Sequence, residues 1–259
     1  MPELLEVETY RRLAERALGR RIVEVDAPDP WFLKGGATAD AVADALLDRT
    51  FVAARRRGKL LLLDVDGGPT LGLRFGMTGV LELDGDAAEE LLYASRRRDP
   101  QWVRLGVGFA DGGALVLRDA RRLGGVELEP DEDHLGLDAT TVTRAQLAHL
   151  LAGSRAPLKA RLMDQQRLAG LGNLLTDELL WRAGLDPGRT SDSLTPAEVR
   201  RLHAHLGRTL ATLGERGGSH TGELQASRLR GGRCPRDGAE LQRRTIGGRT
   251  TYSCPVHQR

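Results

Sequence analysis

The pattern of apolar and polar residues divides the chain into a strand-rich first half and a helical second half. Apolar residues at spacings of three and four, among them Val7, Tyr10 and Ala14, predict an amphipathic helix over residues 3–18 that ends at Gly19. Alternating or continuous apolar stretches predict strands at 22–25, 60–65, 103–109 and 115–117, with a helix at 40–47 and a turn at 55–58. This order favours a β-sandwich with flanking helices over residues 1–134.

The second half begins after an acidic stretch at 127–138, which has the composition of a linker. Helical patterns predict helices at 143–151, 157–165, 173–182 and from residue 195 onward. The last of these opens with Thr195-Pro196-Ala197-Glu198, a capping box with proline at the first helical position. The final segment is rich in glycine and arginine and contains a strand-like stretch, 250–252. We therefore predict an α+β multidomain chain with domains at 1–134, 135–215 and 216–259.

Composition excludes several classes of protein. Two cysteines in 259 residues exclude a disulfide scaffold and fit a reducing compartment. The longest purely aliphatic run, residues 60–63, is too short to span a bilayer, and charged residues among the first twenty exclude a secretory signal. We expect a cytoplasmic protein with no membrane partner.

The small net charge of +2 conceals an asymmetry along the chain. Residues 216–259 carry nine arginines and three acidic residues, a net charge of +6, which leaves −4 for the rest. Such an uneven distribution favours a polyanion as the partner of the C-terminal end.

The two cysteines fall in a pattern that can hold a metal ion. Cys234 is followed three residues later by Asp237, and Cys254 by His257, with a possible hairpin tip at 246–249 between the pairs. Two such knuckles are the way a zinc ribbon gathers four ligands, and zinc accepts carboxylate oxygen as well as nitrogen and sulfur. The alternative is a metal-free hairpin that keeps the ribbon shape by packing.

Two further features could carry chemistry. Gly170-Leu171-Gly172-Asn173 opens a helix and could present backbone N–H groups to a phosphate, although such turns are often mere connectors. Removal of Met1 would leave Pro2 as a free secondary amine, which can condense with the C1′ of a sugar to give an iminium ion. Glu3 and Glu6 are then acid–base candidates. The alternative is an ordinary helix start with proline and acidic residues in the first turn.

These signals occur in the order found in one family. The chain resembles the bacterial formamidopyrimidine-DNA glycosylase / endonuclease VIII family of base-excision enzymes over nearly its whole length. The resemblance rests on six short motifs: residues 1–9, 57–59 with the leucine run, 76–79, 119–124, 158–178 with its Gly-Leu-Gly-Asn turn, and 247–254. It implies a helix–two-turn–helix DNA-binding domain at 135–215 and a zinc-finger-like β-hairpin at 216–259.

The resemblance also implies roles for individual residues. Pro2 would be the nucleophile, with Glu3, Glu6 and Lys59 completing the catalytic set. Phosphate contacts are expected from Lys59, Asn173 and Arg249, and Lys159 is expected to bind DNA as well. Met77, Arg121 and Leu123 would fill the gap left by the extruded base. The implied activity is that of a bifunctional DNA glycosylase/AP lyase, which excises oxidised bases and cuts the strand by β,δ-elimination.

The implied partner is double-stranded DNA with a damaged base or an abasic site, bound by a monomer that associates with the nucleoid. The resemblance implies a structural zinc ion on Cys234, Asp237, Cys254 and His257 and no diffusible cofactor.

Several positions depart from the family pattern. Leu5 stands where a second proline is common, Leu123 where an aromatic wedge is usual, and Arg74 where histidine is common. Asp237 and His257 replace two thiolates. The segment 213–234 is short, as in endonuclease VIII-like members, whereas the N-terminus resembles the formamidopyrimidine type, so the lesion preference stays open.

Two other functions stay open from the sequence. A DNA-binding module that recognises lesions or abasic sites without catalysis would use the same phosphate contacts. An RNA- or ribosome-associated zinc-ribbon protein would account for the basic C-terminus but not for Pro2 and Glu3.

Overall fold

The computed structural model describes residues 2–87, 97 and 99–259, and the chain divides into two compact units. The first unit comprises residues 1–132 and the second residues 133–259. The residues expected to form separate domains at 135–215 and 216–259 thus belong to one compact unit.

The described part of the first unit contains two helices and nine strands. They are α1 (Leu4–Glu15), β1 (Ile22–Asp26), α2 (Ala39–Leu46), β2 (Phe51–Arg57), β3 (Leu60–Val65), β4 (Leu71–Arg74), β5 (Val80–Leu83), β6 (Asp86–Ala87), β7 (Val103–Phe109), β8 (Ala114–Arg118) and β9 (Gly125–Leu128).

The strands form two sheets, which confirms the predicted β-sandwich. One sheet has the order β1-β7-β8-β5-β6 and the other the order β2-β3-β4-β9. Apolar side chains of both sheets and of α1 and α2 enclose one core, in which Tyr10, Phe32 and Phe51 are completely buried. Burying such large side chains is the main source of stability for this unit.

The predicted turn at 55–58 is wrong, because the three arginines belong to strand β2. Residues 55–57 pair with 60–62 of β3, so that only Gly58 and Lys59 form the turn. The arginines are tolerated in a strand because acidic partners are close: Arg55 binds Asp64 at 2.7 Å, and Arg56 reaches Glu8 of α1 at 3.3 Å.

The second unit contains four helices and four strands. They are β10 (Leu137–Asp138), α3 (Arg144–Leu151), α4 (Leu158–Met163), β11 (Leu168–Ala169), α5 (Asn173–Ala183), α6 (Pro196–Glu215), β12 (Gln242–Ile246) and β13 (Arg249–Ser253).

Local signals set the ends of the helices in this unit. Thr195 accepts a hydrogen bond from the backbone N–H of Glu198, and the Glu198 carboxylate accepts one from the N–H of Thr195, as the predicted capping box requires. Helix α5 ends at Gly184, which adopts the left-handed conformation at φ +65°. Strands β12 and β13 form an antiparallel hairpin with Gly247 and Gly248 at its tip. Among the described residues, no helix combines the length and the hydropathy that crossing a membrane requires.

Candidate functional site

The start of helix α1 carries the predicted nucleophile and two carboxylates. The Glu6 Oε2 atom accepts a hydrogen bond of 2.8 Å from the backbone N–H of Glu3, so that Glu6 caps the helix. Pro2 is buried, and Glu3 and Glu6 are only 1% and 2% exposed. Met1, whose removal the predicted chemistry requires, lies outside the described residues. Capping therefore fixes the backbone of Glu3 directly after Pro2.

Lys59 lies at the turn between β2 and β3, which is tied to helix α1. Gly58 permits the tight turn with φ +58°, and its carbonyl oxygen accepts a hydrogen bond of 2.9 Å from Arg56 Nη1. Arg56 also binds Glu8 of α1. The fold thus attaches the turn that carries Lys59 to the helix that begins after Glu3.

The three residues expected to fill the gap in DNA lie on two loops that contact each other. Leu123 is 52% exposed and Met77 is 38% exposed, and Arg121 Nη1 lies 3.2 Å from the Met77 sulfur. Gly76 allows this approach: it has φ +54°, and a Cβ atom there would lie 2.4 Å from the Leu123 carbonyl carbon. Large exposed apolar side chains held together in this way suit insertion into a stack of bases.

A buried carboxylate that we did not single out from the sequence organises these loops. Asp119 Oδ1 accepts hydrogen bonds from the Thr78 hydroxyl at 2.5 Å and from the Arg121 N–H at 3.0 Å. Its Oδ2 accepts from the N–H groups of Leu123 and Gly124, both at 2.9 Å. Asp119 is completely buried. One side chain therefore sets the position of both loops.

A second buried carboxylate holds Arg122, which also escaped the sequence analysis. Asp29 accepts two hydrogen bonds from the Arg122 guanidinium, at 2.6 and 2.7 Å, and lies 3.3 Å from Arg104. The Arg122 hydrogen bond lowers the pKa of Asp29 against the effect of burial. Arg122 has φ +56°, a conformation that costs energy in a residue with a side chain. The bidentate ion pair offsets that cost.

In the second unit, Asn173 begins helix α5 after a turn ordered by Gln165. The Gln165 amide accepts from the N–H of Gly170 at 3.0 Å and donates to the Leu171 carbonyl at 2.9 Å. Asn173 is partly buried, and its Oδ1 atom has no hydrogen-bond partner among the residues that the structure describes. The start of α5 offers the positive end of a helix to a phosphate.

Lys159 is not placed to contact DNA, and this predicted contact is wrong. Its side chain is completely buried, and its ammonium group lies 2.7 Å from Asp177 and donates to Thr251 Oγ1 at 2.8 Å. Asp177 also binds Arg228 and accepts from the N–H of Tyr252. Lys159 instead joins helices α4 and α5 to the hairpin.

Arg249 is exposed at the first position of β13, next to the hairpin tip. The tip packs on helix α4, because a Cβ atom at Gly247 would lie 2.9 Å from that of Ala160. The buried Lys159 contacts fix the neighbouring Thr250 and Thr251. Arg249 therefore projects from a rigid part of the unit.

Cys234, Asp237, Cys254 and His257 form a cluster whose ligand atoms all lie within 4.8 Å of one another. The Cys254 sulfur is 3.2 Å from Asp237 Oδ2, and the Cys234 sulfur is 3.7 Å from His257 Nδ1. Ligand atoms around a tetrahedral zinc ion lie about 3.3–3.8 Å apart. The donor set and the distances from the two sulfur atoms fit a metal ion. His257 Nδ1 and Asp237 Oδ2 lie 2.7 Å apart, in a hydrogen bond that a bound ion would replace.

Trp181 of α5 supports this cluster from outside. The Trp181 indole N–H lies 3.3 Å from the Cys234 sulfur, and its carbonyl oxygen lies 3.2 Å from His257 Nε2. The contact at Nε2 orients the ring so that Nδ1 faces the cluster, where it lies 2.7 Å from Asp237 Oδ2. Hydrogen bonding to His257 lowers the pKa of Asp237, whereas burial raises the pKa of the Cys254 thiol to about 11.

Two family models match the chain: the formamidopyrimidine-DNA glycosylase N-terminal domain over residues 1–126 and the formamidopyrimidine-DNA glycosylase H2TH domain over residues 135–223. The formamidopyrimidine-DNA glycosylases of Paracoccus denitrificans and Streptococcus mutans are 34% and 32% identical to it, with 100% of each chain covered. The Lactococcus lactis Fpg protein, solved with DNA containing an abasic site, is 28% identical with a TM-score of 0.83 and 100% coverage of both chains. Its complex with DNA containing Fapy-dG gives a TM-score of 0.84, with 99% of this chain and 100% of the other covered.

The role of Asp119 leads to a testable prediction. Asp119→Asn would set an amide NH₂ group against backbone N–H donors, and we expect it to lower the free energy of unfolding by about 2 kcal/mol. Hydrogen exchange should accelerate at the amides of Leu123 and Gly124. Asp44→Asn, on the exposed side of α2, is the control. Unchanged exchange in the 119–124 loop would contradict the role given to Asp119.

Proposed function

Because the chain belongs to the formamidopyrimidine-DNA glycosylase family and is a DNA glycosylase of base excision repair, we propose that it removes the base by attack of the Pro2 nitrogen on C1′. The observation that carries this proposal is the capped start of α1, where the N–H of Glu3 is held by the buried Glu6 carboxylate directly after Pro2. Once Met1 is removed, the Pro2 nitrogen has a lone pair for this attack.

The proposed reaction begins with displacement of the damaged base by Pro2. The Pro2 nitrogen forms a bond to C1′ and gives up its N–H proton. The bond between C1′ and the base breaks with its electron pair leaving on the base, which takes up that proton. Glu3, in its protonated form, gives its proton to the sugar ring oxygen as the ring opens, and the nitrogen lone pair completes an iminium ion. Loss of a C2′ proton then expels the 3′ phosphate, and a second elimination expels the 5′ phosphate.

The described DNA-facing residues divide into two groups under this proposal. Lys59, Asn173 and Arg249 bind phosphates, and such contacts position the duplex without reading its sequence. Met77, Arg121 and Leu123 enter the stack after base flipping. The mutual contact of the loops that carry them, and the exposure of Met77 and Leu123, support this assignment.

The names of the relatives support a proposal for the substrate class. They are named for formamidopyrimidine lesions, and one solved relative holds DNA with a Fapy-dG base. We include ring-opened purines among the substrates of this chain. A set of duplexes that each contain one different lesion tests this assignment. Excision of oxidised pyrimidines alone would contradict it.

The proposed attack by Pro2 requires the removal of Met1, because the Pro2 nitrogen is part of an amide as long as Met1 is attached. Mass spectrometry of the N-terminus tests this requirement. A retained Met1 would exclude Pro2 as the nucleophile and leave the glycosylase assignment intact.

The cluster in the second unit is the place for a structural Zn²⁺ ion, held by Cys234, Asp237, Cys254 and His257. Bound there, the ion would supply a cross-link between the turns that precede β12 and follow β13. We also propose a cytoplasmic location with association to the nucleoid through DNA.

Borohydride trapping on DNA with an abasic site tests the nucleophile. The wild-type protein should form a covalent complex, and Pro2→Gly should form it at least about 100-fold more slowly, because a primary amine in a less constrained chain replaces the secondary amine. Arg12→Gln, exposed on the same helix, is the matched control. Equal trapping rates for Pro2→Gly and the wild type would exclude Pro2 as the nucleophile.

The phosphate contact of Arg249 can be measured from salt dependence. Arg249→Ala should weaken DNA binding and reduce the slope of log K against log salt concentration by about one. Arg243→Ala, exposed on the partner strand β12, is the control and should keep the wild-type slope. An unchanged slope for Arg249→Ala would remove this residue from the interface.

Metal content tests the zinc assignment. Elemental analysis should find about one zinc per chain, and Asp237→Ala should reduce it, because three ligands hold the ion less tightly than four. Removal of the ion by a chelator should lower the melting temperature. Glu240→Ala, an exposed acidic residue of the same segment, should keep the zinc. Protein that is folded and binds DNA without zinc would show that packing alone forms the hairpin.

A further inference from the structure

Trp31 and Lys34 form an aromatic and cationic patch on the surface of the first unit. Trp31 is 68% exposed, more than any other large apolar side chain among the described residues. The Lys34 ammonium group lies 5.1 Å from the centre of the indole and donates a hydrogen bond of 2.6 Å to the Trp31 carbonyl oxygen. This contact orders the two side chains, while most of the Trp31 surface stays accessible to a partner.

The patch is attached to the loop that carries Arg121 and Leu123. Asp29, two residues before Trp31, accepts hydrogen bonds from the Arg122 guanidinium and from the N–H of Trp31. After the loop, Val126 forms two backbone hydrogen bonds with this segment. The Val126 carbonyl oxygen accepts from the Lys34 N–H at 2.8 Å, and the Val126 N–H donates to the Phe32 carbonyl oxygen. Residues 29–34 therefore run beside residues 122–126.

The packing between the two segments is close along this stretch. A Cβ atom at Gly124 would lie 2.9 Å from the Phe32 ring, and one at Gly125 would lie 2.7 Å from Lys34 Cγ. The two glycines thus bring the segments together, and the contacts leave little freedom for one to move without the other. Trp31 is held next to the loop that enters the DNA.

The chemistry of the patch complements that of the loop. Leu123 can fill space between bases, but an aliphatic side chain has no π-face to stack on a base. An exposed indole supplies one, and every nucleobase offers a π-face whatever its identity. Lys34 adds a positive charge beside the indole, which suits the phosphates that flank any base.

From this placement we propose that Trp31 is a further DNA-binding residue, whose indole stacks on a nucleobase exposed at the distorted step where the 119–124 loop enters the duplex, with Lys34 as its cationic partner. The proposal rests on the DNA glycosylase function and adds a contact to it. Trp31 takes no part in the reaction, because it binds the duplex beside the reacting nucleotide. The contact is independent of sequence, since stacking does not distinguish strongly between bases.

Fluorescence offers a direct test, because the three tryptophans have different surroundings. Trp102 is partly buried and Trp181 is buried, whereas Trp31 is open to solvent. The probe is a duplex with one tetrahydrofuran abasic analogue, which the enzyme binds without cutting. Stacking should quench the indole emission of the wild-type protein. The quenching should persist in Trp102→Phe and disappear in Trp31→Phe.

Affinity for the same duplex, from fluorescence anisotropy of labelled DNA, provides the second readout. Trp31→Ala should weaken binding about 5- to 100-fold, and Trp31→Phe, which keeps an aromatic ring, should recover most of the loss. Val23→Ala replaces another exposed apolar residue on strand β1 and should bind like the wild type. The melting temperatures should agree for all variants, since both positions are exposed.

The outcomes separate this proposal from the function on which it rests. A wild-type protein that binds and cuts damaged DNA without any Trp31-dependent quenching overturns the stacking contact and leaves the glycosylase function intact. Weak binding by Trp31→Phe equal to that of Trp31→Ala also overturns it, because an aromatic ring then confers no advantage. Failure of the wild type to bind abasic DNA overturns both.

Discussion

The hydrogen bonds accepted by the Asp119 carboxylate are the constraint on which the proposed DNA-binding loops of the first unit depend. Two loops that are 41 residues apart in sequence meet at this one side chain. Because both oxygen atoms are buried and each accepts two hydrogen bonds, neither loop can shift without leaving a polar group unsatisfied. The exposed tips can then present large apolar side chains to solvent in a fixed arrangement, which an unsupported loop could not do.

The same principle governs the start of helix α1. Glu6 is a helix cap, and capping is a matter of stability in most proteins. Here the capped group is the backbone of Glu3, next to Pro2, so the residue that stabilises the helix also positions the proposed acid. Arg56 extends this arrangement, since it binds Glu8 of the helix and the carbonyl oxygen of Gly58 in the turn that carries Lys59. The same side chains thus stabilise the fold and set the geometry of the proposed site.

The features that could be predicted from the sequence are those with local causes. The capping box at Thr195 and Glu198 marks the start of α6, and the glycine at 184 marks the end of α5, because each acts within one helical turn. The hairpin tip at 247 and 248 follows from glycine pairs in the same way. Strands β3 and β7 were predicted with the bounds that the structure has, because β3 is a short apolar run that follows a turn and apolar residues alternate along β7.

What could not be predicted depends on residues that are distant in sequence. From the sequence, the arginines of β2 indicate a turn, because their partners Asp64 and Glu8 are distant in the chain. Lys159 likewise indicates a DNA contact, because its burial against Asp177 depends on the fold. Asp29 and Arg122 are 93 residues apart, and no local pattern connects them. The roles of Asp119, Gln165 and Trp181 likewise appear only when the fold brings their partners to them.

The buried ion network around Asp177 has a consequence for how this architecture could be rearranged. Inside the second unit, the Asp177 carboxylate of α5 binds Lys159 of α4 and Arg228. It also accepts a hydrogen bond from the β13 backbone. Excising residues 216–259, or transplanting them to another scaffold, would remove Arg228 from Asp177 and the β13 acceptors from Lys159. Uncompensated charge in a buried site is severely unfavourable. The segment that contains β12 and β13 therefore depends on helices α4 and α5, and the two parts could be moved to another scaffold only together.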